Sequence, residues 1–137
     1  MPKRSEIVLA DTSAWIHFFR GSGVSVQERF VPLIMTDKIA VTPVVVMELL
    51  QGAKSQKEYD RLCKDMAALT NLELSSIVWK RANSLAFALR RKGFNMPLTD
   101  TLIAAVAIEY SALLLHDDRH YDMISTVAPL KHERIVI

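Results

Sequence analysis

Four acidic residues differ from the other carboxylates of this sequence in the residues that surround them. The chain has 15 Asp and Glu residues, most of them in polar, lysine-containing segments. Four positions instead adjoin or interrupt strongly apolar segments: Asp11, Glu48, Asp100 and Asp118 (or Asp117). Because an ionised carboxylate is rarely buried unless it is paired or coordinated, these four are the candidate catalytic residues.

A hard divalent cation is the simplest partner for several carboxylates that converge. Mg²⁺ and Mn²⁺ prefer oxygen ligands, and a carboxylate site holding one or two such ions can activate water for displacement at phosphorus. A single cysteine excludes a cysteine-built zinc site, and we expect no histidine to ligate zinc. We expect Asp11 and Asp100 to be direct ligands and Asp118 the next, with Glu48 acting directly or through water.

The first acid is expected where a central strand ends and a helix begins. Residues 7–10 form a short apolar run with β-branched members, typical of a strand buried on both faces. Apolar residues at helical spacing follow, and they predict a helix over residues 13–19. In α/β sheets, ligands bind outside the carboxyl ends of the strands, which is where this pattern places Asp11.

The second and third acids are predicted to lie on apolar helices. Glu48 falls in the middle of a helix over residues 43–53 that is apolar nearly all round and therefore expected to be buried. Asp100 opens another apolar helix, over residues 100–110, with Thr99 as its expected N-cap. An acid in the first turn is also favoured by the helix dipole.

The fourth acid follows a predicted strand over residues 113–116. Further short strands are predicted at residues 39–41, 72–74 and 134–137, alternating with helices. Such alternation predicts an α/β fold with a mainly parallel central sheet.

Composition bounds the remaining possibilities. A chain of 137 residues suits a single domain, and its formal charge of +2 permits a polyanionic substrate without requiring one. One cysteine, Cys63, excludes an internal disulfide and indicates an intracellular protein. The sequence contains no apolar run approaching the ~20 residues that span a bilayer.

Four segments together resemble the signatures of PIN-domain ribonucleases, and most closely those of the VapC toxins of toxin–antitoxin pairs. The segments are LADTS at 9–13, PVVVMEL at 43–49, PLTDTLIAA at 97–105 and HDDRHY at 116–121. The resemblance implies a three-layer PIN-like domain over residues 1–137. It also implies a Mg²⁺- or Mn²⁺-dependent endoribonuclease that works in the cytoplasm, pairs with a VapB-type antitoxin and forms a homodimer.

Carried over residue by residue, the family's acids fall on Asp11, Glu48, Asp100 and Asp118. Its hydroxyl beside the first acid falls on Thr12 or Ser13, and the hydroxyl before the third acid falls on Thr99. The family often has a further acid and then phenylalanine, where this chain has His120 and Tyr121. Asp117 therefore remains an alternative to Asp118 as the fourth acid.

Each acid taken alone has a structural explanation. Asp11 could be a helix N-cap, Asp100 a favourable first-turn charge, and Glu48 the partner of an arginine. His116 and His120 could serve acid–base chemistry, although loop or partly buried positions are favoured for both. The basic stripe Lys54, Lys57, Arg61 and Lys64 is by default a solvated helix face rather than an RNA-binding edge.

Other functional classes receive less support. A non-catalytic PIN-like module that binds RNA or protein would be favoured by a missing carboxylate, and none is missing. A phosphoacceptor receiver-like domain needs a lysine after a late strand, where this chain has acids. A Ser/His/Asp hydrolase lacks the glycines that would flank Ser13 as a nucleophile.

Overall fold

The computed structural model describes residues 6–137 and contains one five-stranded parallel sheet. The strands, in the spatial order β3-β2-β1-β4-β5, leave β1 at the centre. Their bounds are β1 Val8–Ala10, β2 Ile39–Val41, β3 Thr70–Asn71, β4 Leu113–His116 and β5 His132–Arg134. The α/β fold with a parallel sheet predicted from the sequence is confirmed.

Seven helices connect and cover these strands. They are α1 Thr12–Arg20, α2 Val24–Met35, α3 Pro43–Gln51, α4 Gln56–Ala67, α5 Ser76–Arg91, α6 Leu98–Glu109 and α7 His120–Ile124. Every residue of β1 and β2 is buried, as expected for strands covered on both faces. No helix among the described residues is long and apolar enough to cross a membrane.

The pairing of β1 with β4 brings two of the candidate acids to one edge of the sheet. Ala10 pairs with Leu115, and the backbone N–H of Asp11 donates to the Leu115 carbonyl at 2.9 Å. Both strands run in the same direction, so the chain leaves them at the same end of the sheet. The residues that follow β1 and β4 are therefore neighbours at the carboxyl ends of the strands, where ligands bind in α/β sheets.

Two strands lie earlier in the chain than the sequence indicated. The predicted strand 72–74 is observed at Thr70–Asn71, and the predicted strand 134–137 at His132–Arg134. In each case the pairing stops because the neighbouring strand ends, at Val41 and His116 respectively. The apolar residues Leu72 and Ile135, which suggested strands, lie just beyond the pairing and fill the core.

The helices that carry the acids also differ in detail. Helix α6 begins at Leu98 with Pro97 at its N-cap, so Thr99 lies inside the first turn and the predicted Thr99 cap is wrong. Proline has no backbone N–H to satisfy, and the Pro97 carbonyl accepts from the Thr101 N–H, which starts the helix earlier. Helix α3 is not buried all round, because Met47 is 61% exposed.

Candidate active site

Asp11 caps helix α1 and is held through one carboxylate oxygen. Its Oδ1 accepts the Ser13 hydroxyl at 2.7 Å and the Ala14 backbone N–H at 2.9 Å. Its Oδ2 accepts no hydrogen bond from a described residue, although the side chain is only 3% exposed. Asp11 therefore does serve as a helix N-cap, the structural explanation that the sequence offered. The cap uses one carboxylate oxygen and leaves the other available.

Burial and neighbouring charges make the ionised form of Asp11 unfavourable. Desolvation raises the pKa of Asp11 from 3.8 to about 6, although the bonds from Ser13 and Ala14 lower it. The charges of Asp100 and Asp118 contribute to this net rise. A carboxylate with these surroundings is stabilised by a cation placed beside it.

Asp100 and Asp118 meet at His120. The Nδ1 of His120 lies 2.8 Å from Asp100 Oδ2 and 3.2 Å from Asp118 Oδ1, and the His120 backbone N–H donates to Asp118 Oδ1 at 2.9 Å. Burial raises the pKa of Asp100, contact with His120 lowers it, and the charges of Asp118 and Glu48 raise it. The structure thus places His120 among Asp11, Glu48, Asp100 and Asp118, which together form the acid cluster, rather than in a separate loop.

Glu48 reaches the same cluster from helix α3. The Thr12 hydroxyl donates to Glu48 Oε1 at 2.7 Å, which ties the side chain to the start of α1. Within residues 6–137, Glu48 forms no ion pair with a lysine, an arginine or a histidine. The alternative in which an arginine neutralises Glu48 is therefore not observed.

Tyr121 is a buried neighbour of the four acids. Its side chain is fully buried, and its hydroxyl finds no hydrogen-bond partner among the described residues. Burial raises the pKa of Tyr121 well above 10, and the charges of Asp11, Asp100, Asp118 and Glu48 raise it further. The phenol oxygen is therefore a buried polar atom within electrostatic range of every acid in the cluster.

Asp117 and Asp118 are separated by their surroundings. Asp117 Oδ2 lies 2.8 Å from His17 Nε2, and its Oδ1 accepts from Arg134 at 3.4 Å. Asp118 instead lies beside Asp100 and His120. Of the two consecutive acids, the structure brings Asp118 to the cluster and directs Asp117 to a histidine and an arginine.

The hydroxyl residues predicted to support the site occupy different places. Ser13 links two segments, because its hydroxyl donates to Asp11 and accepts the Asp117 backbone N–H at 2.9 Å. Thr12 holds Glu48. Thr99 is half-buried in the first turn of α6, one residue before Asp100.

His116 anchors the loop that carries Asp118. The His116 side chain is fully buried, its Nδ1 accepts the Asp118 backbone N–H at 3.1 Å, and its Nε2 lies 2.9 Å from His132 Nδ1. Desolvation, and then the charge of His132, lower the pKa of His116 to about 4. At neutral pH the ring is therefore uncharged, with its hydrogen on Nε2 directed at His132.

These residues fit a divalent cation. The donor set consists mainly of carboxylate oxygens, the ligands that Mg²⁺ and Mn²⁺ prefer. One oxygen or nitrogen from each of Asp100, Asp118 and His120 lies within 4.8 Å of the others. Repulsion among the acids favours a cation with bound water in this space. So do the second oxygen of Asp11 and the Tyr121 hydroxyl, neither of which has a hydrogen-bond partner within residues 6–137.

The model of the PIN domain family matches residues 8–126. The chain belongs to the PIN domain family. Ribonuclease VapC11 of Mycobacterium tuberculosis is 30% identical over 129 residues, which cover 91% of this chain and 96% of the relative. Ribonuclease VapC18 of the same organism is 27% identical over 134 residues, covering 95% and 96%.

Solved structures agree with this PIN fold. VapBC2 from Rickettsia felis, bound to a DNA fragment from its promoter, superimposes with a TM-score of 0.80 at 20% identity, covering 95% of this chain and 99% of that one. VapBC from Salmonella typhimurium, also bound to DNA, gives a TM-score of 0.78 at 18% identity and covers 95% and 98%. At such identities the likeness supports the three-layer architecture alone.

Two features of this PIN domain were missed by sequence reasoning. From the sequence we expected no histidine at the metal site, yet the structure places His120 against two acids that lie 20 and 2 residues away. Tyr121 resembles an ordinary core residue in sequence, and nothing there indicates that its hydroxyl has no partner in the part of the chain that the structure describes. The position of His120, directly after the acids that follow a strand, was the available signal.

Proposed function

We propose that this PIN domain is a metal-dependent endoribonuclease and the toxin of a VapBC-type toxin–antitoxin pair. The observation that carries the proposal is the convergence of Asp11, Glu48, Asp100 and Asp118 at the carboxyl ends of β1 and β4. The family membership and the relatives named VapC ribonucleases support it. We further propose that residues 1–137 form one domain that acts in the cytoplasm.

Mg²⁺ or Mn²⁺ is the proposed cofactor, with Asp11, Asp100 and Asp118 as direct ligands and Glu48 as a ligand directly or through water. When bound, such an ion supplies an activated water and stabilises charge on the oxygens of a phosphodiester during in-line displacement. A bound cation would offset the burial and the repulsion that raise the pKa of Asp11 and Asp100.

The protein's own groups orient these ligands. Ser13 and the Ala14 N–H fix one oxygen of Asp11, and the other remains available. Thr12 holds Oε1 of Glu48, which leaves Oε2 available to accept a proton from the attacking water. The hydrogen bond from the Asp118 N–H to His116 fixes the loop from which Asp118 extends.

A groove beside Glu48 offers a path for a long ligand. Its volume is about 650 Å³. It is lined by residues of α1, α3 and α4 and of the segment between α3 and α4. These include the apolar Ile16 and Phe19, the basic Arg20, Lys54 and Arg61, and the acidic Glu58 and Asp65. Basic side chains in such a groove can contact RNA phosphates, while its apolar walls suit a peptide. Lys54 and Arg61, first assigned to a solvated face, thus border the proposed site.

The proposed partners are RNA, a VapB-type antitoxin and a second copy of the chain. Exposed apolar side chains support protein partners, because Phe19 is 47% exposed in the groove and Met47 is 61% exposed on α3. We expect co-purification from native cells to recover a small antitoxin protein, and the complex to cleave RNA more slowly than the toxin alone. Recovery of the chain by itself, with equal activity, would contradict the antitoxin proposal.

The central test is RNA cleavage by the native chain and by Asp100→Asn. Loss of a metal ligand removes several kcal/mol of transition-state stabilisation, so cleavage with Mg²⁺ or Mn²⁺ should fall at least about 100-fold. Excess EDTA should abolish cleavage by the native chain, and added cation should restore it. Equal cleavage by both chains, or cleavage in EDTA, would refute the proposal, whereas RNA binding without any cleavage would support the non-catalytic module.

Asp118→Asn and Asp117→Asn form a matched pair that tests the fourth acid. The two substitutions change neighbouring residues in the same way, but only Asp118 lies beside Asp100 and His120. We expect Asp118→Asn to reduce the cleavage rate at least about tenfold and Asp117→Asn to reduce it less than threefold. The reverse order of effects would assign the role to Asp117.

A further inference from the structure

Within residues 6–137, one potential nitrogen ligand, that of His120, lies among the acids of the cluster. His120 Nδ1 lies 2.8 Å from Asp100 Oδ2 and 3.2 Å from Asp118 Oδ1. The His120 side chain is 31% exposed, so a hydrated cation can approach it. Carboxylates alone would form a site of purely hard oxygen ligands, and the imidazole changes that chemistry.

The spacing of these donors suits a six-coordinate ion. With bonds of about 2.1 Å, adjacent ligands of an octahedral cation lie roughly 3 Å apart. The distances of 2.8 and 3.2 Å from His120 Nδ1 to the two acids match that value on both sides. The three side chains can therefore occupy neighbouring positions around one ion with small movements.

Tyr121 provides an observation independent of these distances. Its hydroxyl is fully buried, has no partner among the described residues and lies within range of the charges of all four acids. A buried hydroxyl normally has a hydrogen-bond partner, because leaving it without one is unfavourable. Water or hydroxide bound to a cation in the cluster would supply such a partner.

We propose that His120 Nδ1 ligates the cation together with Asp100 and Asp118, and that the site therefore prefers a first-row transition-metal dication to Mg²⁺. This inference rests on the proposed function, and of the two cofactors named there it selects Mn²⁺. Imidazole binds transition metals well, and their affinity for mixed nitrogen and oxygen sites rises from Mn²⁺ to Co²⁺. Mg²⁺ gains little from the nitrogen, because it favours oxygen ligands and retains its waters.

A different role for His120 leads to the opposite result. A hydrogen on Nδ1, directed at the two acids, would substitute for a cation and compete with it. Removal of the ring would then strengthen metal binding instead of weakening it. The two roles are therefore distinguished by the direction in which the metal affinity changes.

A second histidine cluster has to be separated from this site. His116, Asp122 and His132 also present ligand atoms within 4.8 Å of one another. However, His116 Nδ1 accepts the Asp118 N–H, which leaves the hydrogen on the nitrogen facing His132. Arg134 also lies 3.3 Å from Asp122. The groups of that cluster are therefore already paired through hydrogen bonds and the Arg134 guanidinium. His132→Asn serves as the control for it.

The test is calorimetric titration of the RNA-free protein with Co²⁺ and, separately, with Mg²⁺. Loss of a ligating group should weaken Co²⁺ binding by His120→Ala about tenfold or more, with less than a threefold change for Mg²⁺. His120→Asp should strengthen Mg²⁺ binding relative to Co²⁺, because it replaces nitrogen with oxygen. His17→Asn and His132→Asn should both retain the Co²⁺ affinity of the native chain.

Unchanged or tighter Co²⁺ binding by His120→Ala would overturn the inference, as would a loss of Co²⁺ binding that follows His132→Asn instead. Circular dichroism of each variant establishes that the fold is retained. The proposed ribonuclease function fails separately, if RNA is cleaved in EDTA or by Asp100→Asn. If the His120 inference fails but cleavage still requires metal and Asp100, the ribonuclease proposal is unaffected.

Discussion

In the absence of metal, Asp11→Asn should be more stable than the native chain. In the presence of Mg²⁺ or Mn²⁺, it should cleave RNA at least about 100-fold more slowly. Asp11 is 3% exposed, and burial is the main reason that its pKa rises from 3.8 to about 6. Asparagine keeps an oxygen for the bonds from Ser13 and Ala14 without the charge. The same buried charge that would bind the cation thus destabilises the protein without it.

The sign of the pH dependence follows from the raised pKa of Asp11. The folded protein holds this proton more tightly than the unfolded chain, so the contribution to stability is present below pH 3.8 and is lost as pH rises through about 6. At pH 7 the ionised group costs on the order of 3 kcal/mol. The stability gained by Asp11→Asn should therefore be large at pH 7 and vanish near pH 4.

Urea unfolding in EDTA at a series of pH values measures this effect. Asp117→Asn removes a carboxylate that has a histidine and an arginine beside it, so that variant should gain no stability. Saturating Mg²⁺ or Mn²⁺ should stabilise the native chain and have little effect on Asp11→Asn. A destabilised Asp11→Asn chain in EDTA would show that the carboxylate serves mainly as a helix cap.

The sequence predicted the fold and the meeting of the acids because both depend on patterns that neighbouring residues determine. Apolar runs marked β1 and β4, and parallel pairing then required the residues after them to share one edge. The ends of β3 and β5 were misplaced because they depend on where another strand stops. Leu72 and Ile135 look like strand residues, although their burial comes from packing beyond the ladder.

Within the site, the sequence predicted which residues are involved better than it predicted where their side chains point. Sequence left Asp117 and Asp118 as alternatives, because successive residues in a loop point in directions that only tertiary contacts decide. His17 and Arg134, which contact Asp117, lie 100 and 17 residues away from it. The roles of His120 and Tyr121 likewise depend on tertiary contacts, because the acids near them lie in other parts of the chain.

His116→Phe should both destabilise the protein and slow RNA cleavage. Phenylalanine fills similar space beside Tyr121, whose ring centroid lies 4.9 Å from that of His116, but it cannot accept the Asp118 N–H or donate to His132. A buried donor left unpaired costs about 1–3 kcal/mol. Because the Asp118 loop loses its anchor, cleavage should fall about tenfold, with a smaller change in the affinity for RNA.

His116 and Asp11 affect stability in opposite directions as pH changes. The pKa of His116 falls from 6.5 to about 4, so its contribution to stability is complete above pH 6.5 and is lost as pH falls toward 4. The contribution of Asp11 is lost as pH rises between 3.8 and about 6. In the native chain these two effects oppose each other over most of the same interval, so their sum should vary little with pH.

In EDTA, the stability of each variant should therefore show the pH dependence of only one of these two groups. Between pH 4 and 6.5, Asp11→Asn should become more stable as pH rises, because the His116 contribution is no longer opposed. His116→Phe should become less stable over the same interval, because only the Asp11 contribution remains. Parallel pH profiles for the two variants would show that these buried groups do not titrate as their surroundings indicate, and that the cation site is assembled without the electrostatic cost assigned to Asp11.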